Sequence, residues 1–588
     1  MREYKSVPRE EPNVMESRFG VGDTGGEYVK LRKGFVFPRI NLLIIVSFGV
    51  MALIQAVRAM DFAPLTRPST VLVDEMPAGM RVSVSEDGAV TLKGGTASFV
   101  RMRWDVSLGG VTHVCGSMWE RTYGDSAWRR TDDPTAPRGG AMAWYFLATD
   151  GIRTDGYGVK VQPNAFARWK VNPAEIELLL DVRAGSCPVE LGSREVRLCT
   201  LVARRGVPGE SPFAAGRAFC RLMCPQPRLP KSAVYGYNDW YCAYGHNTAT
   251  NFLEDARTLV NLMDSQPGPR VLNRPFVVVD DGWQLNERRG DIVGRDGLWT
   301  TNNVRWGMDM RTFCAQVKAM DARPGLWYRP LMPWASMPIG MRTSGETAKV
   351  WKGGFLVDPT SPGLVEQIKA DLVRFRSWGI ELVKIDFITF DWNTVWGFEL
   401  GDSPIQHGKA IWKDRSRTSA EVVRELYVAM REGAGDMYII GCNAIDHFAA
   451  GLFELQRTGD DTDGRGWART RKMGPNTLGM RAIHNNIFYL NDGDCVGLVN
   501  RDSIPWQLNK QWLDLVAVSG TALFTSWKRA LAKDPDVAQA LGRAWKYASM
   551  GPDTAEPLDW LETPRPRRWR IGDGSIRVYD WDTGFKED

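Results

Sequence analysis

The chain has 588 residues, 44% of them hydrophobic and 24% charged, with a formal net charge of +5. That composition is that of a folded globular protein, and the length calls for about two to four domains. Near-neutrality without a long basic run excludes an extended nucleic-acid surface. The five histidines, His113, His246, His407, His447 and His484, include no pair at metal-ligand spacing, so neither a metal centre nor a cofactor is expected. Nine cysteines, an odd number without a CxxC pair, argue against a disulfide framework.

In chain order, residues 1–29 are polar and rich in glycine and charge, and disorder is expected there. In 30–59, Lys30, Arg32, Lys33 and Arg39 precede a charge-free core from Leu42 to Ile54 and a small-residue site at Val57-Arg-Ala59. The core is shorter than the ~20 residues of a membrane span. The segment reads as a signal peptide, or as a membrane anchor through 40–57, and implies export to a periplasmic or extracellular location. Over 60–225, alternating runs such as Met80–Val84, Ala89–Leu92, Glu175–Val182 and Glu195–Ala203 predict an all-β sandwich. A short helix from Pro212 and a proline-rich linker at 225–230 follow.

From 230 to 525 strands alternate with helical patterns. Strands are expected at Ala233–Tyr237, Pro275–Asp280, Arg323–Tyr328, Leu382–Asp386, Met437–Cys442 and Leu452–Arg457. A seventh is expected from Leu498 onward or near Val516. Helices fall at Thr250–Met263, Met308–Met320, Leu364–Trp378, Ser419–Glu432 and Ile504–Leu515. The alternation predicts a (β/α)8 TIM barrel. Residues 560–588 read as the start of a C-terminal β domain.

Three acidic motifs fall at expected barrel strand ends, where such barrels do their chemistry. Asp280-Asp281-Gly282-Trp283 follows three valines. Paired carboxylates there suit bidentate bonds to sugar hydroxyls, with the Trp283 indole as a floor; an Asx turn is the competing structural explanation. Lys384-Ile-Asp386 ends the fourth strand. Arg457 precedes Asp460, Asp461 and Asp463, a crowded set in which one pKa should rise, as a general acid requires. The 24 tryptophans serve mostly as core, with some offered for stacking on sugar rings.

Taken together, Gly236-Tyr-Asn-Asp-Trp240, Asp280-Asp281-Gly-Trp283, Lys384-Ile-Asp386, Gly441-Cys442, Arg457 with Asp461, and Asn491-Asp492-Gly-Asp494 resemble the motifs of the melibiase-type retaining α-galactosidases. These are glycoside hydrolase families 27 and 36, and the preceding β region is closer to 36. The resemblance covers about 230–500. It implies Asp386 as nucleophile and Asp461 as acid/base, with Asp460 as the alternative in a doubled register. It also implies sugar contacts from Trp240, Asp280, Asp281 and Lys384, an orienting role for Arg457 and a pocket wall at Cys442. The substrate it implies is an oligosaccharide or glycoside, and the two carboxyl groups should lie on the order of 5–6 Å apart. Gly325-Leu-Trp-Tyr-Arg329 departs from the Glu-Pro-Glu-like ending of the microbial family 36 enzymes. Arg329 would bring a cation to the sugar, favouring an acidic or differently substituted one. A raffinose-synthase-like galactosyl transferase and a non-catalytic carbohydrate-binding protein are the alternative readings.

Overall fold

The computed structural model describes residues 62–73, 80–106, 108, 110–131, 142–286, 291, 297–345, 354–405, 410–499 and 504–582. The expected leader and anchor over 1–59 lie outside the described residues. Among the described residues no helix is long and apolar enough to cross a membrane. The described residues belong to one compact unit.

Eight parallel strands close a barrel in chain order: Tyr235–Asn238, Phe276–Val279, Arg323–Tyr328, Leu382–Ile385, Tyr438–Gly441, Leu455–Arg457, Leu490–Leu498 and Ala522–Trp527. The first six match the expected positions. The seventh does not: Leu498 is its last residue, and Val516 sits in the helix Trp506–Val518. Asn491, Asp492, Gly493 and Asp494 disguise this strand as a loop. They are tolerated because the strand bulges between Asp492 and Cys495 and Asp494 takes a positive φ of 70°.

Side-chain alternation along each strand sorts the barrel residues into two sets. Phe276, Val278, Leu382, Tyr438, Ile440, Leu455, Leu490 and Phe524 share one apolar cluster inside the barrel. Val277, Val279, Val383, Ile385 and Ile439 join the core against the outer helices. The helix Leu364–Trp378 shows the logic on the outer side. Leu364, Ile368, Leu372 and Phe375 are buried along one stripe, and Gly379 closes the helix in the left-handed conformation at φ 103°. The covering helices are not uniform. Strand 5 is followed by a single turn, Asp446–Ala449, and strand 6 by a series of short helical segments from Trp467 to Met480.

Where two separate packed sheets are expected in the N-terminal region, eleven strands are hydrogen-bonded into one antiparallel sheet. The long strand Val189–Arg204 makes it continuous. Its end, Leu201–Arg204, pairs with Thr154–Val159, and its earlier residues pair with Ala89–Ala97 through several register shifts. Met142–Thr149 is buried along its whole length, because both of its faces are covered. Trp144 from this strand stacks on His447 of the barrel at 4.9 Å, nearly parallel. Beyond the barrel, Glu556–Pro557, Arg568–Arg570 and Ile576–Val578 form a small antiparallel sheet. All nine cysteines are free thiols.

Candidate functional site

The same alternation that fills the barrel with apolar side chains delivers polar ones to its carboxyl end. Two residues past Val278 comes Asp280. Two past Leu382 comes Lys384, then Asp386; two past Ile440 comes Cys442; two past Leu455 comes Arg457; two past Leu490 comes Asp492.

Lys384 Nζ meets Asp280 Oδ2 at 2.7 Å, with Asp280 only 2% exposed. Burial disfavours the ammonium, but Asp280, Cys442 and Asp386 outweigh it and raise the Lys384 pKa well above the usual lysine value. Asp280 also accepts from Asn238 Nδ2 at 2.7 Å, and its own N–H donates to Asp239 Oδ1 at 2.7 Å. Buried behind it and beside that second carboxylate, Asp239 has its pKa pushed up to about 7. Asp281 is partly exposed and accepts from Gln284 Nε2 at 2.6 Å.

Asp386 sits just past strand 4, with its N–H on the Tyr328 carbonyl at 3.0 Å. Its Oδ2 accepts from Trp327 Nε1 at 3.1 Å, and its Oδ1 from the Phe387 N–H at 2.8 Å. Asn443, with its amide oriented by its neighbours, donates to Oδ1 at 2.8 Å and accepts from Arg121 Nη2 at 3.1 Å. Phe387 is itself left-handed at φ 61°, an unfavourable conformation for a bulky residue, held directly after Asp386. The Arg329 guanidinium lies 4.1 Å from its ring centroid.

Arg457 organises the other side. Its Nη2 reaches Asp461 Oδ1 at 3.2 Å, and its Nη1 reaches Asp494 Oδ1 at 3.1 Å and Cys442 Sγ at 3.4 Å. Asp494 is fixed in turn by Tyr241 Oη and by the Thr462 N–H at 2.8 Å. The Asp461 side chain is 38% exposed. Its partial withdrawal from solvent would raise its pKa, but Arg457, Arg121, Lys384 and Arg469 together hold it below the usual carboxylate range. The upward push expected from crowding falls instead on Asp463, through burial first and Asp461 among the lesser causes. Asp460 is bound at both oxygens, by Arg121 Nη2 at 2.8 Å and Arg469 Nη2 at 2.7 Å, which leaves Asp461 the more available of the doublet.

Three expected contacts take a different form. Trp283 is 0% exposed and offers no face to a sugar. Its indole packs edge-on to Phe375 and Trp378 and donates from Nε1 to the Trp327 carbonyl at 3.0 Å. Gly282 before it takes φ 116°, and a Cβ there would lie 2.5 Å from the Gly245 carbonyl oxygen, so the close approach of these two backbones requires glycine. Trp283→Ala is therefore expected to cost about 3–5 kcal/mol in denaturant unfolding, as for a large core truncation. Arg329, rather than standing ready for an acidic sugar, is paired bidentately with the fully buried Asp391, Nε to Oδ2 at 2.8 Å and Nη2 to Oδ1 at 2.5 Å. Asp391 is pushed up to about 6 by burial, against the pull of Arg329. Cys442 is buried between Arg457 and Arg121 and underlies the site. Trp240, by contrast, is partly exposed at the mouth, tilted against Tyr244 with centroids 5.1 Å apart.

Trp327, Asn443, Asp391 and Arg121 complete this cluster and escape the sequence reading. Among the described residues no group of His, Cys, Asp and Glu could hold a metal ion. No family model and no curated protein sequence matches the chain. Solved structures do. The α-galactosidase TtGalA from Thermus thermophilus, in complex with p-nitrophenyl α-D-galactopyranoside, is 16% identical with a TM-score of 0.54, over 87% of this chain and 96% of that one. The family 36 α-galactosidase AgaA from Geobacillus stearothermophilus is 12% identical with a TM-score of 0.53, over 84% and 70%. The α-galactosidase from Lactobacillus brevis is 12% identical with a TM-score of 0.52, over 82% and 71%. At these identities the likeness is one of fold.

Proposed function

We propose that the protein is a retaining α-glycosidase of the α-galactosidase type, acting on glycosides and oligosaccharides. The observation that carries this reading is the continuous set of contacts joining the two strand-end aspartates. Asp386 meets Asn443, Asn443 meets Arg121, Arg121 and Arg457 both touch Cys442, and Arg457 meets Asp461. The fold shared with α-galactosidases supports the same reading.

In the mechanism, Asp386 attacks the anomeric carbon as Asp461 gives its proton to the departing oxygen, leaving a covalent glycosyl-aspartate. Asp461, now the base, takes a proton from water. The water oxygen displaces Asp386 and releases the sugar with its original anomeric configuration. In this reading Asp280 with Lys384, and Asp281 beside them, bind hydroxyls of the sugar, while Trp240 packs against it.

The test is the stereochemistry of hydrolysis. Proton NMR during cleavage of p-nitrophenyl α-D-galactopyranoside is expected to show the α-anomer of galactose first, with the β-anomer growing in only by mutarotation. A β-anomer formed first would rule out double displacement. Failure to cleave any α-glycoside would rule out the enzyme reading.

A further inference from the structure

One loop of the N-terminal β region enters the barrel mouth. Thr122 pairs with Gly459 as an isolated parallel bridge, its N–H on the Thr458 carbonyl at 2.9 Å, so the chain of one sheet continues the end of barrel strand 6. Arg481 Nη1 donates to the Glu120 carbonyl, which fixes the loop from the other side. Arg121, carried between these anchors, is 4% exposed. Its guanidinium faces Asp460 Oδ1 at 2.8 Å, the Asn443 side-chain amide oxygen at 3.1 Å and Cys442 Sγ at 3.5 Å, and its Nε donates to Tyr123 Oη at 3.3 Å.

We infer that Arg121 is a positioning residue for both catalytic aspartates, so that the barrel depends on the β region for a working site. On one side Arg121 takes the Asn443 side-chain amide oxygen, which leaves the Asn443 NH2 to face Asp386. On the other it clamps Asp460 and so sets the backbone that presents Asp461. Nη2 makes both contacts, while Nε on Tyr123 and Nη1 on Cys442 fix the plane that aims it, an orientation that an ammonium on a flexible stem does not keep. The inference rests on Asp386 and Asp461 as nucleophile and acid/base.

Arg121 also contributes charge. Around Asp461 stand Arg457 from its own strand, Arg469 from the helix after it, Lys384 from strand 4 and Arg121 from the β region. The neighbouring acidic and phenolic groups are Asp460, Asp463 and Asp494, with Tyr241 and Tyr244. Removing Arg121 subtracts one of four cations, so the Asp461 pKa must rise. A general acid works protonated, so the alkaline limb of kcat/KM then moves to higher pH.

The experiment compares wild type, Arg121→Met and Arg121→Lys on an α-galactosyl oligosaccharide across pH. Arg121→Met is expected to lower kcat by about a hundredfold and to raise the alkaline limb by roughly one pH unit. Arg121→Lys, which keeps the charge and loses the fork, is expected to lower kcat by about tenfold or more with the limb in place. Losses of activity with the limb unmoved in Arg121→Met, or full activity in Arg121→Lys, would overturn the inference. Carboxyl titration by carbon-13 NMR, with Asp461→Asn to identify the signal, measures the same shift without turnover. A wild type inactive on all glycosides defeats the proposed function, whereas an unmoved Asp461 signal in Arg121→Met defeats the role of Arg121 alone.

Discussion

Asp386→Asn is expected to lower kcat/KM for α-galactosides by at least about a thousandfold, equivalent to ~4 kcal/mol or more of lost transition-state stabilisation. The substitution changes no volume, and its neighbours remain. The Phe387 N–H and Asn443 can still serve an oxygen at Oδ1, so the melting temperature should stay within a few degrees of wild type. What disappears is an anionic oxygen able to form a bond to carbon. An amide at that place leaves Trp327 Nε1–H facing either the weaker carbonyl oxygen or an NH2. A sharper form of the experiment is Asp386→Gly with added azide. The small anion occupies the vacated space, attacks the anomeric carbon from the nucleophile's side and expels the leaving group, giving the β-galactosyl azide. No rescue, or rescue with the α-configuration, would place the nucleophile elsewhere.

Legibility followed periodicity. Where a strand alternates apolar residues and ends on a charge, as in Leu382-Val-Lys-Ile-Asp386 and Leu455-Gln-Arg457, both the strand and the inward-facing group can be read directly. Strand 7 defeats that reading because its inward face is acidic at Asp492 and its ladder is bulged, so its outline is that of a loop. Met142–Thr149 defeats it in the opposite way: buried on both faces, it has no alternation to show. Trp283 reads as a sugar floor beside two carboxylates, but its burial depends on Phe375, Trp378 and the Trp327 carbonyl, all distant in sequence. The missing members of the site share one property. Arg121 touches Cys442, 321 residues away, and Trp327 touches Asp386 across neighbouring strands. Such contacts are made by tertiary packing and leave no local pattern. Asp391, five residues past Asp386, has a local signal in a carboxylate flanked by two aromatic side chains, but its meaning depends on Arg329.

Asp461→Ala is expected to separate the two halves of the reaction. With an oligosaccharide, whose leaving oxygen is strongly basic, loss of the proton donor should lower kcat/KM by about 10²–10⁴-fold. With a nitrophenyl leaving group, which departs without a proton, the first step should survive and the second stall. The glycosyl-enzyme then accumulates, and kcat and KM fall together. Azide should attack that intermediate and give the α-galactosyl azide, the opposite anomer from the Asp386→Gly product. Asp460→Asn provides the contrast, because its carboxyl is taken up by Arg121 and Arg469, and its effect should be smaller and independent of the leaving group. The pH dependence has a definite sign. Asp461 is held below the usual carboxylate range by Arg457, Arg121, Lys384 and Arg469 acting against its partial withdrawal from solvent, so it is ionised at neutral pH in the empty site. Only its protonated fraction can begin the reaction. In wild type, kcat/KM on an oligosaccharide should therefore rise as pH falls from about 7 towards 5, up to about tenfold per unit while that fraction is small. In Asp461→Ala this alkaline limb should be gone. A wild-type profile that is flat or rising up to pH 8, or an Asp461→Ala variant that retains the limb, would assign the proton to a different group.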